Sequence, residues 1–233
     1  MSAPWQDRWF EHAARRQLRA WRGVEAQHAA STMRLVDTLD EQAVLEAILD
    51  ASKPPLPPEA QGLHPLLAGP FRYRPRHAGR FRRPGGRGVW YGAASLRTAC
   101  AEVAYWRWRF VSDSDGLRGD EVMTAHTFFQ ARVRGTALDL LAAPWSASHA
   151  HWAHPADYTA TQALADAAVA HGVQWIRYAS VRDPGGVCAA VFDAAALVAL
   201  DAASLQTWHC RATAAAVRLV NGDQRFEWHF DAA

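Results

Sequence analysis

The chain is short of lysine, of cysteine and of long apolar runs, and each shortage excludes something. Lysine occurs once, at Lys53, so arginine supplies the other 24 of its 25 basic residues. The three cysteines, Cys100, Cys188 and Cys210, lie far apart with no CxxC pair. That spacing argues against a disulfide framework and against a cysteine zinc knuckle, and it leads one to expect a reducing cytoplasm. Apolar runs such as Val187 to Phe192 end at a charged residue, here Asp193. They fall far short of the roughly 18 residues that a membrane span needs. The stretch from Met1 to Arg16 has no continuous apolar segment and carries Asp7 and Glu11, so no signal peptide is expected. Missing too are GxGxxG, a Walker loop, HExxH and GxSxG, which leaves kinase, NTPase, dinucleotide-fold, zincin and serine-hydrolase readings without support.

What is present is ample for a folded domain. Of 233 residues, 50% are hydrophobic and 21% charged, so the chain can bury a core. Net charge is only +2, but seven arginines crowd between Arg72 and Arg87. A guanidinium grips phosphate oxygens in pairs, as lysine cannot. The glycine-bounded loop from Gly79 to Gly88 is therefore either a solvated basic turn or a cradle for a diphosphate or a nucleic acid.

Periodicity divides the chain. Trp5, Trp9, Ala13, Leu18, Trp21 and Val24 recur near helical spacing, and a second helix is expected over Ser31 to Asp50. The proline-rich segment Lys53 to Ala60 then imposes an extended linker. Residues 1–58 are accordingly read as a helical segment plus linker, able to pack on the main domain or to mediate homo-oligomer formation, and 59–233 as the main domain. In that domain FRYR and GVWY read as strands, Ser95 to Phe110 as a helix, Thr124 to Val133 and Thr136 to Leu141 as two strands, and Tyr158 to His171 as a helix closed by Gly172. Gln174 to Tyr178 and Val187 to Phe192 read as buried strands. Thr213 to Val220 and Arg225 to Phe230 form a hairpin about Asn221-Gly222. Helices and strands mix without a βαβ rhythm, which makes the fold α+β.

Three features could carry chemistry. Glu102 lies on the shoulder of the helical stripe Leu96, Ala99, Val103, Trp106 and Phe110, where a carboxylate must find either an arginine or a ligand. Ser180 ends a strand ahead of the tight turn Asp183-Pro184-Gly185-Gly186, as a turn cap or a functional hydroxyl. His149, His151 and His154 are close enough to hold a metal, but they lack a helical i, i+4 pair. No metal site is expected of them.

The segment FRYRPRHAGRFRRPGGRGVWYGAASLRTACAEVAYWRWRF resembles the RES-domain family, whose name refers to an arginine, a glutamate and a serine. The matching positions are Arg72 between Phe71 and Tyr73, Arg80 in Gly79-Arg80-Phe81, Tyr91 in Val89-Trp90-Tyr91-Gly92-Ala93, Glu102 in Ala101-Glu102-Val103, and Ser180 in Tyr178-Ala179-Ser180-Val181. The interval between the first arginine and the G-x-R loop is shorter here than in many members, so Arg74 and Arg76 compete with Arg72 for the first place. The resemblance implies a fold similar to ADP-ribosyltransferase toxins and an NAD-consuming activity. NAD+ would be the substrate, and phosphate or water would accept ADP-ribose after the nicotinamide–ribose bond breaks. Some relatives are instead assigned transfer of ADP-ribose to protein. The resemblance further implies a toxin partnered by an Xre-type antitoxin; a cytoplasmic protein with neither membrane nor direct nucleic-acid binding is expected, a nucleic-acid binder using the arginine loop being the remaining alternative. Arg72, Arg80, Glu102 and Ser180 would be catalytic, and Arg72, Tyr73, Arg80, Tyr91 and Ser180 would bind NAD+.

Overall fold

The structure is a computed structural model that describes residues 3–26 and 35–231. The fold is α+β, built on one eight-stranded mixed sheet. Its strands are β1 (Ala14–Glu25), β2 (Trp90–Ala93), β3 (Val122–Asp139), β4 (Trp175–Ala179), β5 (Val187–Val191), β6 (Leu197–Ala212), β7 (Ala216–Asn221) and β8 (Gln224–His229). The order is β1-β2-β5-β4-β3-β6-β7-β8, and β1 also pairs with β3, which closes the first five strands of that order on themselves. Only the β3–β4 pair is parallel among the described strands. The helices are α1 (Leu39–Ser52), α2 (Pro65–Arg72), α3 (Leu96–Ser112), the single turn α4 (His149–Trp152) and α5 (Thr159–Ala170).

The N-terminal segment departs from expectation. A helix was expected through Val24, yet Ala14–Glu25 is a strand, in unbroken antiparallel register with β3 from Ala14↔Ala137 to Glu25↔His126. Its apolar residues fit an alternation as well as they fit a helical stripe. Leu18, Ala20 and Val24 face a core with Trp90, Phe129 and Trp175, while Trp21 faces the opposite core. Trp5 and Trp9 flank or join a 3₁₀ turn, Asp7–His12, where they pack on Trp152 and Trp145. Of the second expected helix, residues 31–34 lie outside the described residues. The remainder becomes α1, started by a capping box between Thr38 and Glu41. It buries none of its side chains.

Three more differences have local causes. FRYR is not a strand: Phe71 and Arg72 end α2, and Tyr73 follows as its extended cap. The two strands expected within 124–141 are one, since Gly135 sits in mid-strand where a β-carbon would run into the Gln174 amide. Strand β6 was not anticipated at all. Its inward alternation shows only late, at Trp208, Cys210 and Ala212, beyond a register shift opposite Phe128 and Gln130.

Helix α3 is the element that matters for the site. Ser95 caps it by accepting the Thr98 N–H at 3.0 Å. Its small buried residues Ala99, Cys100, Ala101 and Ala104 let it lie close to the sheet. Gly23 on β1 makes the same allowance from below, because a β-carbon there would come within 2.5 Å of Phe128 and 2.9 Å of Val103. Trp108 anchors the far end, donating from Nε1 to the Ala214 carbonyl at 2.9 Å and stacking on Phe230. Trp106 and Phe110, expected in the apolar stripe, are instead about half exposed, at 51% each.

Candidate active site

Between α3, β1 and the arginine loop lies a cleft of about 540 Å³. That is within the range of ordinary small-molecule sites. Glu102 enters it from α3, Tyr91 from β2, Tyr178 from β4, Arg80 and Arg82 from the loop, and Arg22 from β1.

Glu102 has no arginine partner among the described residues. Its Oε1 accepts the Ser180 hydroxyl at 2.7 Å, and the Cys188 thiol approaches at 3.8 Å. Ser180 is fixed in turn, because its Oγ accepts the backbone N–H groups of Arg182 and Asp183, each at 3.1 Å. The turn that carries it is bound to the start of α3, where Thr98 donates to Asp183 at 2.7 Å and Arg97 lies 3.4 Å from the same carboxylate. Glutamate and serine, 78 positions apart, thus form one preorganised unit. Burial and the Glu102 charge both push the Cys188 thiol up, and burial does the same for the Tyr178 phenol. Both stay neutral beside the carboxylate.

Tyr91 closes the other wall. Its hydroxyl accepts the Phe81 N–H at 3.1 Å, and burial raises its pKa to about 12. Arg80 donates to the carbonyls of Trp152 and His154, both at 2.9 Å, and lies 4.9 Å from the Tyr158 ring centre. It thereby joins the arginine loop to the histidine segment. Gln162 of α5 holds the same loop by donating to the Gly79 and Arg82 carbonyls, each at 3.1 Å.

Arginines in the cleft want anions. Arg22 donates to the Tyr91 carbonyl at 2.8 Å and stacks over Trp90 at 5.6 Å, yet it meets no carboxylate among the described residues. Burial lowers its pKa to about 10, which still leaves it cationic at neutral pH. Among the described residues the Nε atoms of Arg22 and Arg82 are buried without a partner. Buried polar groups are almost always paired, so both guanidinium groups keep hydrogen-bonding capacity unused.

Of the residues singled out from sequence, Glu102, Ser180, Arg80 and Tyr91 come together. Ser180 reaches the cleft through its bond to Glu102. Arg72 and Tyr73 do not line the cleft, because the end of α2 directs them elsewhere. Lys53 holds the Asp50 carboxyl below its usual range and Arg72 adds a smaller contribution, while Tyr73 is 44% exposed. Arg74 and Arg76 are exposed as well, while Arg83 and Arg87 pair with Asp166 and Glu59. The sequence reading missed Arg82 and Tyr178 as individual site residues, and it missed Arg22. Reading β1 as a helix hid the strand that carries it. His149 and His151 lie exposed on α4, and His154 Nδ1 accepts the Ala156 and Asp157 N–H groups. Among the described residues no group of three or more metal-ligating side chains occurs.

Comparison with known proteins identifies the family. The RES domain family model matches residues 56–213. The chain belongs to the RES-domain family. No curated protein matches it. Among solved structures it is similar to a chain of the Mycobacterium tuberculosis MbcT-MbcA toxin-antitoxin complex, with TM-score 0.51 and 14% identity over 89% of this chain and 92% of that one. At that identity the likeness extends to the fold. This RES-domain chain contains no helix, among the described residues, long and apolar enough to cross a membrane.

Proposed function

We propose that this RES-domain protein cleaves the nicotinamide–ribose bond of NAD+ and serves as the toxin of a toxin–antitoxin pair. The observation that carries the reading is the division of charge in the cleft. One carboxylate, Glu102, is held by a serine and has no cationic partner among the described residues. Beside it two arginines, Arg22 and Arg82, have buried nitrogens without partners. A dinucleotide is the complement, with an anionic diphosphate for the arginines and a ribose that becomes cationic for the glutamate.

The chemistry asks little more of the protein. The C1′–N bond breaks, its electron pair returns to the nicotinamide nitrogen, and the ring leaves neutral without a general acid. Positive charge develops on the ribose, where an ionised carboxylate stabilises it much as it does in glycosidases. An oxygen of water or phosphate then bonds to C1′, water releasing one proton to solvent as it does so. Arg22 and Arg82 hold the diphosphate, Arg80 shapes the loop beside it, and Tyr91 and Tyr178 offer ring faces. Ser180 keeps Glu102 aimed.

The antitoxin partner rests on the family and on the complex in which the similar fold occurs. Purified protein incubated with NAD+, with and without inorganic phosphate, should release free nicotinamide. ADP-ribose as product identifies water as the acceptor, and its 1″-phosphate identifies phosphate. Label appearing on protein would assign transfer to a protein instead. No nicotinamide release under any condition would overturn the reading.

A further inference from the structure

The cleft does not end at Glu102. Along the same face of α3 it continues past Trp106 and Arg107 to Phe110. Eight residues of helix span about 12 Å. That is the scale of a ribose–diphosphate–ribose bridge, so a nicotinamide riboside at Glu102 would leave this stretch empty.

We propose that this far end is an adenine subsite, in which the purine lies against the Trp106 ring and is read by Glu25, Arg107 and His126. The inference rests on the NAD+ reading for the identity of the ligand, but its evidence is separate. His126, at 3% exposure, lines the cleft from β3. Its Nε2 lies 3.0 Å from Thr124 Oγ1, whereas its Nδ1 is buried with no partner among the described residues. Directly opposite on β1 is Glu25, in register with His126 and ion-paired to Arg107 of α3. The cluster therefore presents a carboxylate acceptor, guanidinium donors and one unsatisfied ring nitrogen.

An aminopurine matches that set. Its exocyclic amine donates to Glu25, and its ring nitrogens accept from Arg107. His126 Nδ1 takes whichever role its tautomer leaves open. The imidazole suits an uncharged base, since burial and the Arg107 charge lower its pKa to about 4 and keep it neutral at pH 7. Trp106 and Phe110 leave half their surface to solvent in the free protein, an unusual place for large aromatics on a helix that otherwise buries its face. Stacking on a base would cover them.

The test compares NAD+ with nicotinamide mononucleotide, which carries the scissile bond but no adenine, and measures AMP binding by calorimetry. Trp106→Ala is chosen because the side chain is half exposed and the fold should tolerate it. Glu25→Gln is the second variant. In the native protein AMP should bind, and kcat/KM for NAD+ should exceed that for the mononucleotide by tenfold or more. In Trp106→Ala, AMP should bind on the order of tenfold more weakly, the scale of one lost base–aromatic stack. The preference for NAD+ over the mononucleotide should shrink by a similar factor, the diphosphate contacts being left in place. Glu25→Gln should lose discrimination between NAD+ and its hypoxanthine analogue.

AMP that fails to bind, or equal turnover of the two substrates, would overturn the subsite even if nicotinamide is released. AMP binding that Trp106→Ala weakens would uphold it even if no nicotinamide is released, and the cleavage reading would then fall alone.

Discussion

Ser180 donates its hydroxyl proton to Glu102 at 2.7 Å, across the gap between the β4 turn and α3, while its own oxygen accepts two backbone N–H groups. The serine is therefore a fixed donor, and the glutamate is an anion whose direction is set before any substrate arrives. Such preorganisation is where electrostatic catalysis gains most of its effect.

Removing that donor should show it. Ser180→Ala leaves the carboxylate charged but free to turn and frees two N–H groups of the turn. Loss of a hydrogen bond to a charged group costs about 1.5–3 kcal/mol, so turnover should fall roughly tenfold to a hundredfold. Nicotinamide release that is unchanged in Ser180→Ala would assign the serine to the turn alone.

The glutamate itself makes a sharper contrast. Glu102 has no ion pair among the described residues, so Glu102→Gln removes no salt bridge from the folded state. Its melting temperature should stay close to that of the native protein, because the amide can still accept from Ser180. Turnover should nevertheless fall on the order of 10² to 10³-fold, the scale for one preorganised charge facing a developing cation. NAD+ binding should change much less, since the lost interaction is strongest in the transition state. A Glu102→Gln protein that melts early yet turns over normally per folded molecule would make the carboxylate structural.

Two arginines should separate cleanly. Arg22→Gln should weaken NAD+ binding by about 1.5–3 kcal/mol, the worth of charge-assisted hydrogen bonds. Its free-state stability should hold or rise, because a buried guanidinium that meets no anion among the described residues carries an unrecovered desolvation cost. Arg72→Ala, at the end of α2 and outside the cleft, should bind NAD+ as the native chain does. Calorimetric titration of both variants with NAD+ checks the pair. Loss of binding in Arg72→Ala alone would return the clamp to the α2 end.

The contrast between Arg22 and Arg72 also marks what the sequence could reveal. Glu102 and Ser180 were candidates from their positions in the sequence, whereas Arg80 and Tyr91 stood out only through the resemblance to the RES-domain family. The four belong to the α3 stripe, the Asp-Pro-Gly-Gly turn, the G-R-F loop and the small-residue strand β2. Strand β1 was not legible. Its apolar residues satisfy two periods at once, and only pairing with β3, more than a hundred positions away, decides between them. Arg22 became visible as a site residue only with that pairing. The same holds for His126 and Glu25, whose closeness is a matter of register and not of spacing. The α+β class survived these errors because it depends on the mixture of elements and not on any single one.

Acid should act on His126 before it acts on most of the fold. Its pKa falls to about 4 in the folded chain through burial and the Arg107 charge, against an ordinary 6.5, and Glu25 offsets this only in part. The unfolded chain therefore binds the proton first as pH drops. The stability tied to the neutral imidazole is complete above about 6.5 and is lost between there and about 4. A shift of this size corresponds to at most about 3 kcal/mol. His126→Asn cannot take up that proton, so its melting temperature should fall less than that of the native protein between pH 7.5 and 4.5. Other carboxylates and histidines titrate in both proteins alike, so the difference between the two curves isolates the one imidazole. Two curves that run parallel across the range would mean that the folded chain lets His126 protonate at its ordinary pH, and that the ring is wetter and better partnered than its place against β1 and α3 implies.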